Sequence, residues 1–168
     1  MPEKSIIAVG VDAGDSSQRA LVWAAKEALR RGSTLQLVTA WNWESMEGAP
    51  LAAADPYSME EAARAAQDAA VAAVLTPMDP RPAYATLVVQ STAAEALVEA
   101  SRTADLVVVG THGRGPVRSF LLGSVSQSVI RHSSCPVVVL PPLDAAHAHP
   151  NDAVVEAHQV PATTAPGS

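Results

Sequence analysis

Apolar and polar positions along this chain fall into blocks that alternate between two periods. Five short runs are rich in branched apolar residues: Ile6–Val11, Leu35–Ala40, Ala85–Gln90, Leu106–Val109 and Val137–Leu140. The last two, within DLVVVG and PVVVLPP, are nearly continuous, as expected of strands covered on both faces. Between the runs lie stretches with helical spacing. Ser17–Arg31 places Leu21, Val22, Ala25, Ala28 and Leu29 on one stripe and stops at Gly32. Ser58–Leu75 opens with the capping-box pattern Ser58-Met59-Glu60-Glu61 and is alanine-rich until Pro77. Thr92-Ala93-Ala94-Glu95 opens a third helix in the same way, and Ser124–His132 forms a short fourth carrying Val125 and Val129. The predicted order is βαβαβαβαβ, a single open parallel sheet with helices as right-handed crossovers on its faces.

Two regions fall outside this pattern. The connection Asn42–Tyr57, with Pro50 and Pro56, is long for a compact domain and reads as a flap. The stretch Leu143–Ser168 lacks aromatics and is rich in Ala, Pro, Thr and His, so it reads as a disordered tail. The expected division is a domain over 1–142 and a tail over 143–168.

Composition supports that division. Of the 168 residues 48% are hydrophobic, yet there are only three Trp, two Tyr and one Phe, and alanine supplies much of the rest. A domain of this size buries a core without disulfides, and small side chains favour helices lying close on a sheet. The net charge is −6, and Asp144, Asp152 and Glu156 place half of it in the tail, which has no Lys or Arg. Without a basic run, nucleic acid is not an expected partner. No apolar run reaches the roughly 18 residues of a membrane helix, so no membrane association is expected. The single cysteine, Cys135, excludes an intramolecular disulfide, and a soluble cytoplasmic protein is the default.

Candidate chemistry concentrates in VVVG-THG-RGPVRSFLL-GSVSQSVIRH. Gly110 ends a strand, Gly113 follows after two residues, and Gly123-Ser124 follow after nine more. Glycines let backbone N–H groups approach an anion, and a helix N-terminus adds unpaired donors and a positive dipole end. Arg114 and Arg118 can add charge, and Ser124 can serve as both helix cap and phosphate donor. This is a phosphate-binding arrangement. It is neither a Walker A loop, lacking Gly-Lys-Ser/Thr, nor the dinucleotide fingerprint, lacking G-x-G-x-x-G after the first strand.

The spacing G-x2-G-x9-G-S, carried by Gly110, Gly113, Gly123 and Ser124, resembles that of ATP-binding members of the universal stress protein family. The first strand IIAVGVDAGDSS, the segment SQRALVWAAKEALRRGSTLQLVTAW and the ending SVIRHSSCPVVVLPP are also similar, over roughly Ser5–Pro141. Two departures stand out: Ala13-Gly14-Asp15 where the family commonly has Gly-Ser after the aspartate, and no glycine around Gln90-Ser91. The resemblance implies a Rossmann-like sheet of order 3-2-1-4-5 with its crevice where the crossover direction reverses, between the first and fourth strands. It implies Asp12 near ribose or phosphate-bound Mg²⁺, Val11 and Ala40 around adenine, and triphosphate on Gly110, His112, Gly113, Arg114, Gly123, Ser124 and Val125. It further implies a homodimer through the last strand, whose apolar edge would otherwise be open.

The function expected is ATP binding, with Mg²⁺, by a nucleotide-dependent regulator of a stress response acting on an unknown protein partner. The alternatives are a slow ATP hydrolase or adenylyl-transfer enzyme on the same scaffold, or a nucleotide-free interaction module. No catalytic residue is expected, since His112 has no companion base and no Walker-type lysine is present.

Overall fold

The computed structural model describes residues 5–42, 55–111 and 122–141. Strand β1 (Ile6–Gly10) lies at the centre of one sheet, between β2 (Thr34–Trp41) and β4 (Leu106–Gly110). Strands β3 (Tyr84–Gln90) and β5 (Val137–Leu140) form the two edges, giving the order β3-β2-β1-β4-β5. Every pairing is parallel, with Ile7 in register with Leu35 on one side and Leu106 on the other. The expected open parallel sheet is therefore present, and its strands end within about one residue of the apolar runs.

Helices cover both faces. On one, α1 (Asp15–Arg31) and α2 (Pro56–Ala70), with its π-helical continuation Val71–Leu75, pack on Ile7, Val9, Leu35, Leu37, Leu106 and Val108. On the other, α3 (Ala93–Ala100) and α4 (Ser124–His132) pack on Ala8, Val38, Val107 and Val109. The alternation of side chains along each strand sends neighbouring residues to opposite cores. The alanines act as spacers. Ala20, Ala24, Ala25 and Ala28 are wholly buried, so α1 lies close to the sheet, and Leu21 fills the space between them. Burying a leucine of this kind contributes about 1.5–3 kcal/mol.

Helix ends follow local chemistry. Gly32 closes α1 in the left-handed conformation, φ +67°, which glycine adopts without a steric penalty. Thr92 and Glu95 form the expected reciprocal capping box on α3. Three expectations need correction. Helix α1 begins at Asp15, not Ser17, with Gly14 at the N-cap position, and Ser16 and Ser17 turn inward. Helix α2 begins at Pro56: Asp55 is its cap, accepting from the Tyr57 N–H, and Ser58 lies inside the first turn. Proline is favoured there because the first helical N–H has no intrahelical partner to lose. Helix α4 has Gly123 at its N-cap position and Ser124 as its first helical residue, so Ser124 is not the cap. Of the connection Asn42–Tyr57, residues 43–54 lie outside the described residues, and Pro56–Tyr57 belong to α2. The expected tail, 143–168, also lies outside them.

Candidate functional site

The chain runs outward from β1 through β2 to β3, then crosses back to β4 and β5 on the other side. The reversal falls between β1 and β4, and open parallel sheets bind ligands beyond the carboxyl ends of their strands at such a point. Val11 and Asp12 follow β1, Asn42 follows β2, Ser91 follows β3 and Thr111 follows β4.

A cleft of about 440 Å³ opens at this end of the sheet, on the face covered by α3 and α4, between the end of β2 and the starts of those two helices. Ala40 and Asn42 supply one wall from the end of β2, Ser91–Ala94 a second from the start of α3, and Ser124, Val125 and Ser128 a third from α4. The structure thus brings together Ala40, Ser124 and Val125 from among the expected site residues. It adds Asn42, Ser91, Thr92 and Ser128, which the sequence reading missed. Ser128 was discoverable, because it follows Ser124 by one helical turn and shares its face. Ser91 and Thr92 were visible only as a helix start.

The two helix starts facing the cleft differ electrostatically. At α3 the Thr92 hydroxyl, the Thr92 N–H and the Ser91 hydroxyl hold the Glu95 carboxyl below its usual range, so a fixed negative charge sits there. At α4 no side chain among the described residues caps the helix: Gly123 is extended (φ −65°, ψ 163°) and its carbonyl accepts from Gln127 N–H. The Ser126 hydroxyl donates to the Gly123 carbonyl at 2.9 Å. The first N–H groups of α4 therefore form the more favourable end for an anion.

Gly110 and Gly123 mark the two ends of the glycine-punctuated segment. Gly123 N–H donates to the Thr111 carbonyl at 2.8 Å, and Thr111 N–H donates to the Leu140 carbonyl at 2.9 Å. The segment thus leaves and rejoins the fold at one point fastened to β5. His112, Gly113 and Arg114 lie outside the described residues, as does Arg118.

Asp12 is held in a local turn. One carboxylate oxygen accepts from Gly14 N–H at 2.7 Å, and its own N–H donates to the Ser17 hydroxyl at 2.8 Å. This fixes the carboxylate at the start of α1 without making it the cap. Val11 is a core residue on the α1 face; its N–H bonds the Val38 carbonyl and its carbonyl accepts from the Thr39 hydroxyl. Cys135 lies away from the cleft, and burial, followed by the nearby Asp105 charge, pushes its thiol up. That keeps it protonated and unreactive near neutral pH. Among the described residues no group of three His, Cys, Asp or Glu could hold a metal ion, and no helix is long and apolar enough to cross a membrane.

A sequence model described as the Universal stress protein family matches residues 5–141. A universal stress protein of Mycobacterium tuberculosis is 32% identical over 153 residues, covering 89% of this chain and 49% of its own length. One from Thermus aquaticus is 34% identical over 140 residues, covering 80% of this chain and 96% of its own. The chain spans about half the length of the mycobacterial relatives it matches. Among solved structures, a universal stress protein in complex with cAMP is 31% identical, with a TM-score of 0.55 over 83% of this chain and 98% of that one.

Proposed function

The chain belongs to the universal stress protein family, and from that premise we propose that it binds an adenine nucleotide in the cleft, ATP with Mg²⁺, as a nucleotide-dependent regulator of a stress response. The observation that carries this reading is the start of α4, which faces the cleft with no side-chain cap among the described residues and presents Ser124 and Val125 in its wall. Phosphate would lie against those N–H groups and the Ser124 hydroxyl, with Gly113 and Arg114 contributing from the adjoining segment. The base would lie toward Ala40 and the ribose toward Asp12. The negative charge at Glu95 favours this direction over the reverse. Mg²⁺ would reach the protein through the phosphates, with Asp12 the nearest carboxylate in the expected arrangement. The relative in complex with cAMP supports an adenine nucleotide as the ligand class.

Acid extraction of the purified protein followed by identification of released nucleotide tests this reading, together with titration by Mg²⁺-ATP. Wild-type protein is expected to bind, and the Gly113→Ala, Gly123→Glu double variant to lose binding through a carboxylate placed at the anion site. No nucleotide in the extract and no heat on titration with ATP or cAMP would sink it. The cAMP-bound relative favours one further reading, a cyclic-nucleotide preference, and competition between the two ligands separates them. Turnover well above background that disappears in His112 or Asp12 variants would instead favour an enzyme.

The homodimer belongs to the same proposal. All four residues of β5 are half-buried, and on the described residues its outer edge has no paired strand. Pairing of two β5 edges would cover that apolar row. Light scattering at micromolar concentration is expected to give twice the chain mass, and a monomer would count against pairing.

A further inference from the structure

Helix α2 meets the sheet through small residues. Ala63, Ala66 and Ala70 are half-buried on its inner side, and Gln67 is its one buried residue, 2% exposed. Its side-chain nitrogen lies 3.2 Å from the Leu37 carbonyl, 3.2 Å from the Leu87 carbonyl and 3.0 Å from Thr39 Oγ1. Carbonyl oxygens only accept, so the amide NH2 group faces all three. The Thr39 hydroxyl, 4% exposed, in turn donates to the Val11 carbonyl at 2.9 Å. A directed chain of hydrogen bonds thus runs from α2 to Thr39 on β2 and on to the residue preceding Asp12.

The chain lies on the face opposite the cleft. Thr39 points toward α2, and its neighbour Ala40 points into the cleft. Val11 likewise packs on the α1 side, while Asp12 follows it. Packing alone would be served by an apolar side chain at position 67. A buried amide must have its hydrogens satisfied, and here they are directed at β2 and β3, with Thr39 the acceptor nearest the carboxyl end of β2.

We propose that Gln67 and Thr39 are positioning residues for the cleft, setting from behind the sheet the strand ends that carry Asp12 and Ala40. The inference rests on the nucleotide reading only for its ligand-binding readout. Removing the Thr39 hydroxyl frees the Val11 carbonyl and loosens the Asp12 turn. Replacing Gln67 by an apolar side chain leaves the Thr39 hydroxyl held at one end only.

The test uses the full chain as Thr39→Val, Thr39→Ser, Gln67→Leu and the Thr39→Val, Gln67→Leu pair, all compared with wild type. Mg²⁺-ATP is titrated by calorimetry, and amide exchange of the nucleotide-free proteins is followed at Asp12 and Gly14, with Leu21 and Val108 as core references. Thr39→Val and Gln67→Leu are each expected to weaken ATP by about tenfold, the pair by little more than the larger single, and Thr39→Ser by about twofold or less. Exchange at Asp12 and Gly14 is expected to quicken in Thr39→Val and Gln67→Leu while the core references stay slow, and Thr39→Ser to restore it. Lower stability with unchanged ATP affinity, or exchange that is unaltered or quickened everywhere alike, overturns the proposal. Should Gln67→Leu fail to fold, the Val and Ser variants at Thr39 decide it. Should wild-type protein bind no ATP, the nucleotide reading falls and the exchange pattern alone decides: a selective, serine-restored change at Asp12 and Gly14 supports the positioning role, and its absence overturns it.

Discussion

A methyl group on Gly110 would lie 2.7 Å from Ser16 Oγ and 2.8 Å from the carbonyl carbon and oxygen of Ser16. The first turn of α1 therefore crosses β4 where only hydrogen fits, and the obstacle is backbone. Gly110→Ala is expected to lower stability by about 1–3 kcal/mol, measured by urea unfolding, because α1 has to shift. The glycines of the phosphate-loop spacing thus do different things: Gly110 admits a helix, whereas Gly123 has φ −65°, a value open to any residue. Glu27 shows a second residue-scale effect. Its buried carboxyl is held below the usual range first by its hydrogen bond from Arg30, against the opposing effect of burial and with help from Arg31. A lowered folded value means stability that is fully present above about pH 4.5 and lost as pH falls from there through the lower, folded-state value. Glu27→Gln is accordingly expected to be less stable than wild type at pH 7, with the gap narrowing as pH falls below about 4.5 in paired unfolding curves.

Among the elements, α2 and α3 show where sequence patterns identify a helix start and where they mislead. Both Ser58-x-x-Glu61 and Thr92-x-x-Glu95 satisfy the capping-box spacing. At Thr92 the box forms; at α2 the Asp55-Pro56 step, three residues upstream, starts the helix and leaves Ser58 donating to the Asp55 carbonyl. Asp55→Ala and Thr92→Ala are each expected to cost about 1 kcal/mol, and Ser58→Ala at most about 0.5 kcal/mol, in chemical unfolding. The strands were legible because continuous branched apolar runs have few other uses. Gln67 was not, because a glutamine among alanines looks like part of a solvated helix face until the sheet carbonyls above it are known. Thr39 was hidden likewise, as one of three polar positions in β2, beside Thr34 and Gln36. Pattern reveals period and face; it does not reveal which polar residue on the buried face has partners there.

At the scale of the whole molecule, protection is concentrated at the centre of the sheet. Ile7, Ala8 and Val9 of β1 and Val107 and Val108 of β4 are fully buried, whereas β3 is exposed along its first four residues and β5 is half-buried throughout. Amide exchange is expected to be slowest in β1 and β4 and markedly faster in β3, as measured on the native protein. The cleft lies toward the less protected side, since its Ser91–Ala94 wall begins just past β3. Of the expected site residues, Ser124 and Val125 line the cleft, both from one continuous motif. The contributions of Asn42, Ser91 and Thr92 depend on strand order and on the approach of two helix starts, which no local pattern records.

The hydrogen bond from Gly123 to Thr111 fastens together the two ends of the eleven residues between them. Closing a connection costs entropy that grows only with the logarithm of its length, about 0.6 kcal/mol for each doubling. Fold stability therefore puts little restraint on how many residues this segment contains. A segment of different length or composition can be spliced between the same two anchors while the sheet and its helices are left in place.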